Sequence, residues 1–487
     1  MVEVRSFIDG QFVNPTEDAW FERFSPVTGE PSARVPDSDV LDVVRAVQAA
    51  NRAWSLLQKQ EPAARTIEAR GFCAKIAIAV ESAAAELAGL QSEETGMPIA
   101  ASRASIARAV AELRYFSELE LERQREPMND GRKVAENRLP IGVVVLLLPA
   151  YDPVESLVHR LAPALAAGNV VIAKASSHAP RTNDRFAKAV HSSGLTSGVF
   201  ALLQGRGVRI GRALVEHPGL STVSFAGKTE TGREVQQASA ELLKRTQLSL
   251  SGCNSILVFG AADMEPGELD RIATAVCDLS LSGLTPPHLR GARVFVQEPL
   301  YKRFLEALAA AGSRLKIGDP VNEATTLGPL TRAEEKKRFA DSVAQAVSER
   351  GKLLRLAVGP LPPVGHFVEP TVVYDVSLCS TLQQEEVLGP LAMVESFKYQ
   401  HDAIKLANTS PFGQISYVFH ADHEKAAKIA NRIEASRVVV NPAGAGWELS
   451  QTPIGASFGG LKSSGLGREG GLEALEFFSR RALVVFG

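Results

Sequence analysis

The feature that most constrains this chain is an alternation that begins near Ile141. Gly142-Val143-Val144-Val145-Leu146-Leu147-Leu148-Pro149 is an unbroken apolar run, without the polar alternation of a strand that has one wet face. Such a run reads as a strand buried on both sides. After it come a helical stretch at about 154–167, an apolar strand at 169–174 and a helix over 181–193. A strand at 199–203, a helix over 210–216 and a strand at 222–225 follow. Buried strands alternating with helices predict a parallel, doubly wound α/β sheet. A second unit of the same kind starts at 255–259. It continues through a helix at 268–282, a strand at 292–296, a helix at 300–315 and strands near Val372 and Met393. Two such units in one chain imply a cleft between them, the usual place for a ligand.

The first part of the chain has a different pattern. Residues 7–13 carry a strand–Asp9-Gly10–strand hairpin signal, and Asp39 is a predicted N-cap before Leu41, Val44 and Val47 at helical spacing. Helical patterns continue over 63–90 and 106–122, and 126–138 is polar, with a Met-Asn-Asp-Gly turn at 128–131. Across 487 residues, 53 Lys and Arg stand against 55 Asp and Glu. That balance argues against nucleic acid or an anionic membrane as the main partner, because both recruit a basic excess. The longest apolar run, 141–148, is too short to span a bilayer, and the N-terminus shows no basic start ahead of an apolar stretch. A cytoplasmic location is the expectation. The four cysteines, Cys73, Cys253, Cys277 and Cys379, are far apart and form no CxxC pair. They fit a reducing compartment and exclude a disulfide framework or a Cys-rich zinc site. A catalytic thiol has to be one of these four.

Two glycine-bearing turns point to a phosphate. Gly205-Arg206-Gly207-Val208-Arg209-Ile210-Gly211 follows a predicted strand and opens a helix, and Phe225-Ala226-Gly227-Lys228-Thr229-Glu230-Thr231-Gly232 follows the next strand in the same way. Glycine lets backbone N–H groups and a helix N-terminus approach an anion. Two such turns on neighbouring strands predict a dinucleotide at the sheet's C-terminal edge. His420 and His423 form an HxxH, but with Asp422 they read as a strand end running into a helix at 424–433, and no metal site is expected.

Several segments in order then resemble the aldehyde dehydrogenase superfamily along nearly the whole chain. They include Phe7-Ile8-Asp9-Gly10, the long run from Leu161-Ala162-Pro163 to Val171-Ile172-Ala173-Lys174, and Ile317-Gly318-Asp319-Pro320. Later come Phe367-Val368-Glu369-Pro370, Glu385-Glu386-Val387-Leu388-Gly389-Pro390 and Phe458-Gly459-Gly460-Leu461-Lys462-Ser463-Ser464-Gly465. The resemblance implies an aldehyde-dehydrogenase-like α/β fold of two doubly wound domains plus a small β oligomerisation element. It places the dinucleotide-binding domain at 1–125 and 142–251, the catalytic-type domain at 252–465 and the oligomerisation element at 126–141 and 479–487. A homodimer or homotetramer is implied.

In that family a cysteine thiolate attacks the aldehyde, an Asn side chain and a backbone N–H hold the oxyanion, and a glutamate activates water. Here the resemblance places His288 at the nucleophile position, Ser249 at the glutamate position and Tyr151 at the Asn position. Cys277 lies eleven residues before His288 within a predicted helix, and Cys253 stands in Leu248-Ser249-Leu250-Ser251-Gly252-Cys253-Asn254 where the family has a lysine. On the cofactor side, Lys174 matches a lysine on the adenosine ribose. Ser177 replaces the glutamate of NAD-selective members, so NADP is expected to be tolerated or preferred over NAD. Gly207, Gly211, Phe225 and Gly227 match the pyrophosphate turns, and Glu386 matches the glutamate near the nicotinamide ribose. Lys228 replaces a small hydroxyl residue, and Leu388 replaces a Phe. Three readings stay open: a degenerate or repurposed member that keeps an NAD(P)-type cleft for a small-molecule ligand, an oxidoreductase using His288 and Tyr151 in new roles, and an oligomeric scaffold.

Overall fold

Local sequence signals and the two predicted α/β units meet in the computed structural model of this chain, which describes residues 1–119, 133–377, 380–443, 448 and 452–486. The hairpin signal is a hairpin: strands β1 (Ser6–Ile8) and β2 (Gln11–Val13) pair antiparallel, with Asp9 and Gly10 both at positive φ. Helix α1 (Val40–Leu57) starts at Asp39, whose carboxylate accepts from the backbone of Leu41 and Asp42 while Asp42 accepts from Asp39 N–H. That reciprocal cap satisfies donors the first helical turn leaves open. The helical pattern predicted at 63–90 is two helices, α2 (Pro62–Ser82) and α3 (Ala84–Thr95), broken at Ala83. Helix α3 stops at Gly96 with φ 80°, where a β-carbon would stand 2.0 Å from the Pro329 carbonyl oxygen. Helix α4 (Ile99–Glu118) starts earlier than predicted, and 120–122 lie outside the described residues.

Five strands then build the centre of an eight-stranded sheet: β3 (Val143–Leu147), β4 (Val170–Lys174), β5 (Phe200–Leu203), β6 (Thr222–Ala226) and β7 (Arg245–Ser249). Helices α5 (Pro153–Ala166), α6 (Pro180–Ser192), α7 (Gly207–Glu216) and α8 (Thr229–Ala240) connect them. The central order is β7-β6-β3-β4-β5, all parallel. Every residue of β3 and of β4 is buried, as their unbroken apolar runs require. The chain moves outward from β3 to β5, then returns to place β6 on the other side of β3. Strand order therefore reverses between β3 and β6, which opens a crevice beyond their C-terminal ends.

The second sheet has seven strands: β8 (Ser255–Val258), β9 (Arg293–Gln297), β10 (Lys352–Leu354), β11 (Thr371–Tyr374), β12 (Leu391–Phe397), β13 (Ile415–Phe419) and β14 (Arg437–Val440). Their order is β10-β11-β12-β9-β8-β13-β14, parallel except for the edge strand β10. Cys277 lies in α9 (Pro266–Ser280), as expected.

The end of the chain returns to the first sheet. Strand β15 (Gly465–Leu466) pairs antiparallel with β7, and Asn169 donates its side-chain amide to the Phe478 carbonyl at 2.8 Å. The last strand, Ser479–Phe486, pairs antiparallel with Lys133–Pro140 in a separate two-stranded ribbon. Leu483 and Phe486 on it are 66% and 53% exposed, an apolar edge that suits pairing with another chain. The remainder of the predicted oligomerisation element, 126–132, and the Leu378-Cys379 pair lie outside the described residues. Among the described residues no helix is long and apolar enough to cross a membrane.

Candidate active-site cleft

The C-terminal edge of the first sheet faces the N-terminal edge of the second across a cavity of about 90 Å³. Pro149 and Tyr151 reach it from the end of β3, Ala226 and Gly227 from the end of β6, and Ser249 from the end of β7. His288 comes from a single-turn helix before β9, Gln414 precedes β13, and Arg437 opens β14. The three residues at the predicted chemical positions, Tyr151, Ser249 and His288, thus line one cavity at the crevice where the first sheet's strand order reverses. No cysteine lines it among the described residues.

The His288 turn is held from both sides. Asn254 donates its amide to the carbonyls of His288 and Arg290 at 3.0 and 2.9 Å, and the Tyr417 hydroxyl donates to the Leu289 carbonyl at 2.7 Å. The imidazole stacks on Tyr151, with ring centroids 5.7 Å apart and planes 17° apart. Burial, with positive charge on Arg437 and Arg160, pushes the His288 imidazole down to about 3. The ring is neutral at pH 7 and too weak a base to collect a proton there. Burial raises the Tyr151 phenol far above its ordinary range, so it stays a protonated donor. Ser249 has no acid–base pKa near neutrality, and its carbonyl accepts the Gly227 N–H at 3.0 Å.

Charged residues that the sequence reasoning missed line much of the remaining cavity wall, beside Leu250, Leu289 and Phe458. Arg160 on α5 pairs with Glu469 at 2.6 Å, and Arg108 on α4 pairs with Glu155 at 2.8 Å. His159 Nδ1 meets Glu112 at 2.8 Å, and the His159 ring stacks on Phe458 at 4.9 Å. Asp152, the N-cap of α5, takes a left-handed backbone at φ 53°, followed by Pro153. Burial and the neighbouring Asp152 charge raise Glu155 well above the carboxylate range. A signal for this wall was present in the sequence: Glu155 and His159 sit four apart on one predicted helix and so share a face. For Arg437 and Glu469 there was none, because only long-range packing brings them here.

The predicted cofactor residues lie on the neighbouring turns. Lys174 ends β4, 7% exposed, and makes no hydrogen bond or ion pair among the described residues; burial pulls its ammonium down to about 8. Gly207 is the first residue of α7, and a β-carbon there would stand 3.4 Å from Lys174 Nζ. Gly211 is one turn further on. Ser177 follows β4, beside His178, which contacts the Arg23 guanidinium. Phe225, next to last in β6, has its ring packed against Gly227, where a β-carbon would stand 2.5 Å from it. Lys228 stands at the N-cap position of α8 without a side-chain cap; burial and the Arg332 and Arg338 charges lower its ammonium against the opposing pull of Glu335 and Glu386, and burial raises the Glu386 carboxyl. Among the described residues no cluster of His, Cys, Asp and Glu could hold a metal ion, and His420 Nδ1 instead accepts the Asp422 N–H at 2.9 Å.

The described thiols lie elsewhere. Cys73, Cys253 and Cys277 are buried, which pushes them up to about 12, 11 and 12. A thiol so raised carries almost no thiolate at neutral pH.

Comparison with known proteins gives the same overall architecture. The family model described as "Aldehyde dehydrogenase family" matches residues 12–484. Betaine aldehyde dehydrogenase 2 of Rhizobium meliloti (strain 1021) is 31% identical over 482 residues, covering 97% of this chain and 95% of that protein. The NAD+ complex of an aldehyde dehydrogenase from Bacillus cereus superposes with a TM-score of 0.92 at 27% identity, covering 100% of this chain and 96% of that one. An NADP-dependent enzyme of E. coli gives 0.92 at 26% identity, covering 100% and 98%.

Proposed function

Because the chain belongs to the aldehyde dehydrogenase family, we propose that it keeps an NAD(P)-type cleft but does not oxidise aldehydes through a cysteine thiohemiacetal. The observation that carries this reading is a cavity holding Tyr151, Ser249 and His288 with no cysteine among its lining residues. The three described thiols are buried and protonated. Losing one member of a catalytic unit commonly costs on the order of 10⁴- to 10⁶-fold in rate. The relatives named as dehydrogenases support the fold and the cleft; fold alone does not carry their activity to this chain.

On this reading, NADP or NAD binds along the first sheet's C-terminal edge, with NADP tolerated or preferred. An ammonium at Lys174 with no partner among the described residues, beside the Gly207 helix start, suits a phosphate-bearing ligand. Lys174, Ser177, Gly207, Gly211, Phe225, Gly227, Lys228 and Glu386 would hold it. A bound dinucleotide would supply a hydride acceptor or donor. The dinucleotide domain is assigned to 1–125 and 142–251, the second domain to 252–465, and the ribbon joins a homodimer or homotetramer in the cytoplasm.

The alternative, an oxidoreductase in which His288 and Tyr151 act as acid and base, is disfavoured by an imidazole pushed down to about 3. The test is turnover of an aldehyde panel with NAD and NADP, alongside calorimetry with both dinucleotides. Dinucleotide binding without turnover is expected. Turnover by the unaltered protein at ordinary enzymatic rates would overturn the proposal, and absence of dinucleotide binding would leave the scaffold reading. The triple variant Tyr151→Asn, Ser249→Glu, His288→Cys is expected to gain aldehyde oxidation.

A further inference from the structure

Native proteins pair nearly all buried polar atoms, because an orphaned donor or acceptor forfeits its full hydration. In this protein several orphans share one cavity. Among the described residues, Glu112 Oε2, Glu155 Oε2, His159 Nε2, Arg160 Nε, Gln414 Oε1 and Arg437 Nε are buried with no hydrogen-bond partner, and all six residues line the space beside Tyr151 and His288. Glu112, His159, Arg160 and Gln414 are each at least nine-tenths buried. Such a cluster is a built polar site.

The charges in it are unequal in their pairing. Arg160 is paired with Glu469 at 2.6 Å, and Arg108 lies 2.8 Å from Glu155, whose carboxyl is raised by burial and by Asp152. Arg437 makes no ion pair among the described residues. It donates to the Thr452 hydroxyl, and its guanidinium carbon lies 5.2 Å from the centre of the Phe458 ring. His159 stacks on that same ring at 4.9 Å, so Arg437 and the His159–Glu112 pair both adjoin Phe458. Arg437 therefore offers a guanidinium with no carboxylate at ion-pair distance among the described residues, and His159 and Glu112 offer an imidazole nitrogen and a carboxylate oxygen. The cavity of about 90 Å³ has the volume of about three liquid waters.

We infer that this cavity binds a small hydroxy- or amino-carboxylate, with its carboxylate on Arg437 and its hydroxyl or ammonium group on His159 and Glu112. The inference rests on the proposed cleft and names its ligand: a compound already at the acid oxidation level, which asks for no nucleophile at residue 288. An arginine with a free N–H is the group best matched to a carboxylate. A neutral aldehyde would leave that cation unanswered.

Calorimetric titration of the full-length protein with lactate and β-alanine, against lactamide as the neutral counterpart, is the test. Saturable binding of at least one carboxylate and none of lactamide is expected, and the preferred carboxylate distinguishes the hydroxyl from the ammonium arm. Arg437→Gln is expected to weaken that binding at least about tenfold while leaving NADPH binding as in the parent. Should Arg437→Gln fail to fold, Arg437→Lys, which keeps the charge and loses the fork, is expected to bind more weakly than the parent. Equal binding of lactamide, binding unaffected by the Arg437 change, or no binding of either carboxylate would overturn the inference. NADPH is titrated separately. Dinucleotide binding without carboxylate binding sinks this inference alone, and the converse sinks only the dinucleotide site.

Discussion

Tyr151 and His288 lie ring on ring across the gap between the two sheets, 5.7 Å apart at their centroids and tilted by 17°. One is carried from the C-terminal end of β3 and the other from the turn before β9. The stack lies in the cavity beyond the ends of β3 and β6, where burial keeps His288 uncharged.

This gives a pH prediction. His288 is pushed down to about 3 when folded, against about 6.5 for an unperturbed imidazole. Between these values the unfolded chain binds the proton and the folded chain does not, so stability rises with pH across that window. The contribution is fully present above about pH 6.5 and is lost as pH falls towards 3. Melting curves of the parent and of His288→Gln at pH 4 to 8 measure it. The parent is expected to lose stability relative to the variant in acid, by up to about 1.4 kcal/mol per pH unit. Parallel curves for the two proteins would remove His288 as the cause.

Thiol chemistry gives a second prediction. With Cys73, Cys253 and Cys277 buried and raised to between about 11 and 12, a disulfide reagent at pH 8 is expected to label at most one thiol rapidly in the native protein. All four should react in denaturant. Rapid native modification at Cys253 or Cys277, mapped by peptide mass, would contradict the buried placement.

Lys174 gives a third. Its ammonium, held at about 8 by burial, is half-neutral near pH 8 and charged below it. NADPH affinity is expected to fall as pH rises from 7 to 9, and proton uptake on binding should be largest near pH 8. Lys174→Arg, charged throughout, is expected to flatten the profile. Titrations in buffers of different ionisation enthalpy report both quantities.

A fourth concerns Arg293, fully buried at the start of β9. It donates to the Gln383 amide oxygen, to the Leu406 and Ala407 carbonyls and to the Thr409 hydroxyl. Arg293→Met fits the volume but strips donors from several buried acceptors. A loss of about 2–4 kcal/mol is expected in urea unfolding. A loss below half of that would show that the acceptors find water or other donors.

What the sequence made legible, and what it hid, follows from the range of the forces involved. The strands β3 and β4 were readable because burial on both faces leaves an uninterrupted apolar run. Asp39 was readable because a cap is settled within three residues. The break at Ala83 carried no signal, since neither glycine nor proline marks it and the apolar pattern runs through. The convergence of Tyr151, Ser249 and His288 was expected from matched motifs, yet nothing local to those motifs indicated Arg437 or Glu469. Glu469 reaches Arg160 over more than three hundred positions of chain, and Arg437 enters the cavity through the order of strands in the second sheet.

The return of the chain to its first sheet has a consequence for how the molecule is made. Strand β7 gains its outer neighbour from Gly465–Leu466, the carbonyl of Phe478 closes the Asn169 corner, and Arg160 waits for Glu469. During synthesis on a ribosome the central strands of the first sheet therefore emerge about two hundred residues before Gly465–Leu466 and Glu469, which complete it. Until residues 465–478 have emerged, that sheet has an open edge at β7 and Arg160 lacks its carboxylate, so the emergence of this segment sets the earliest moment at which the cleft can assume its final shape.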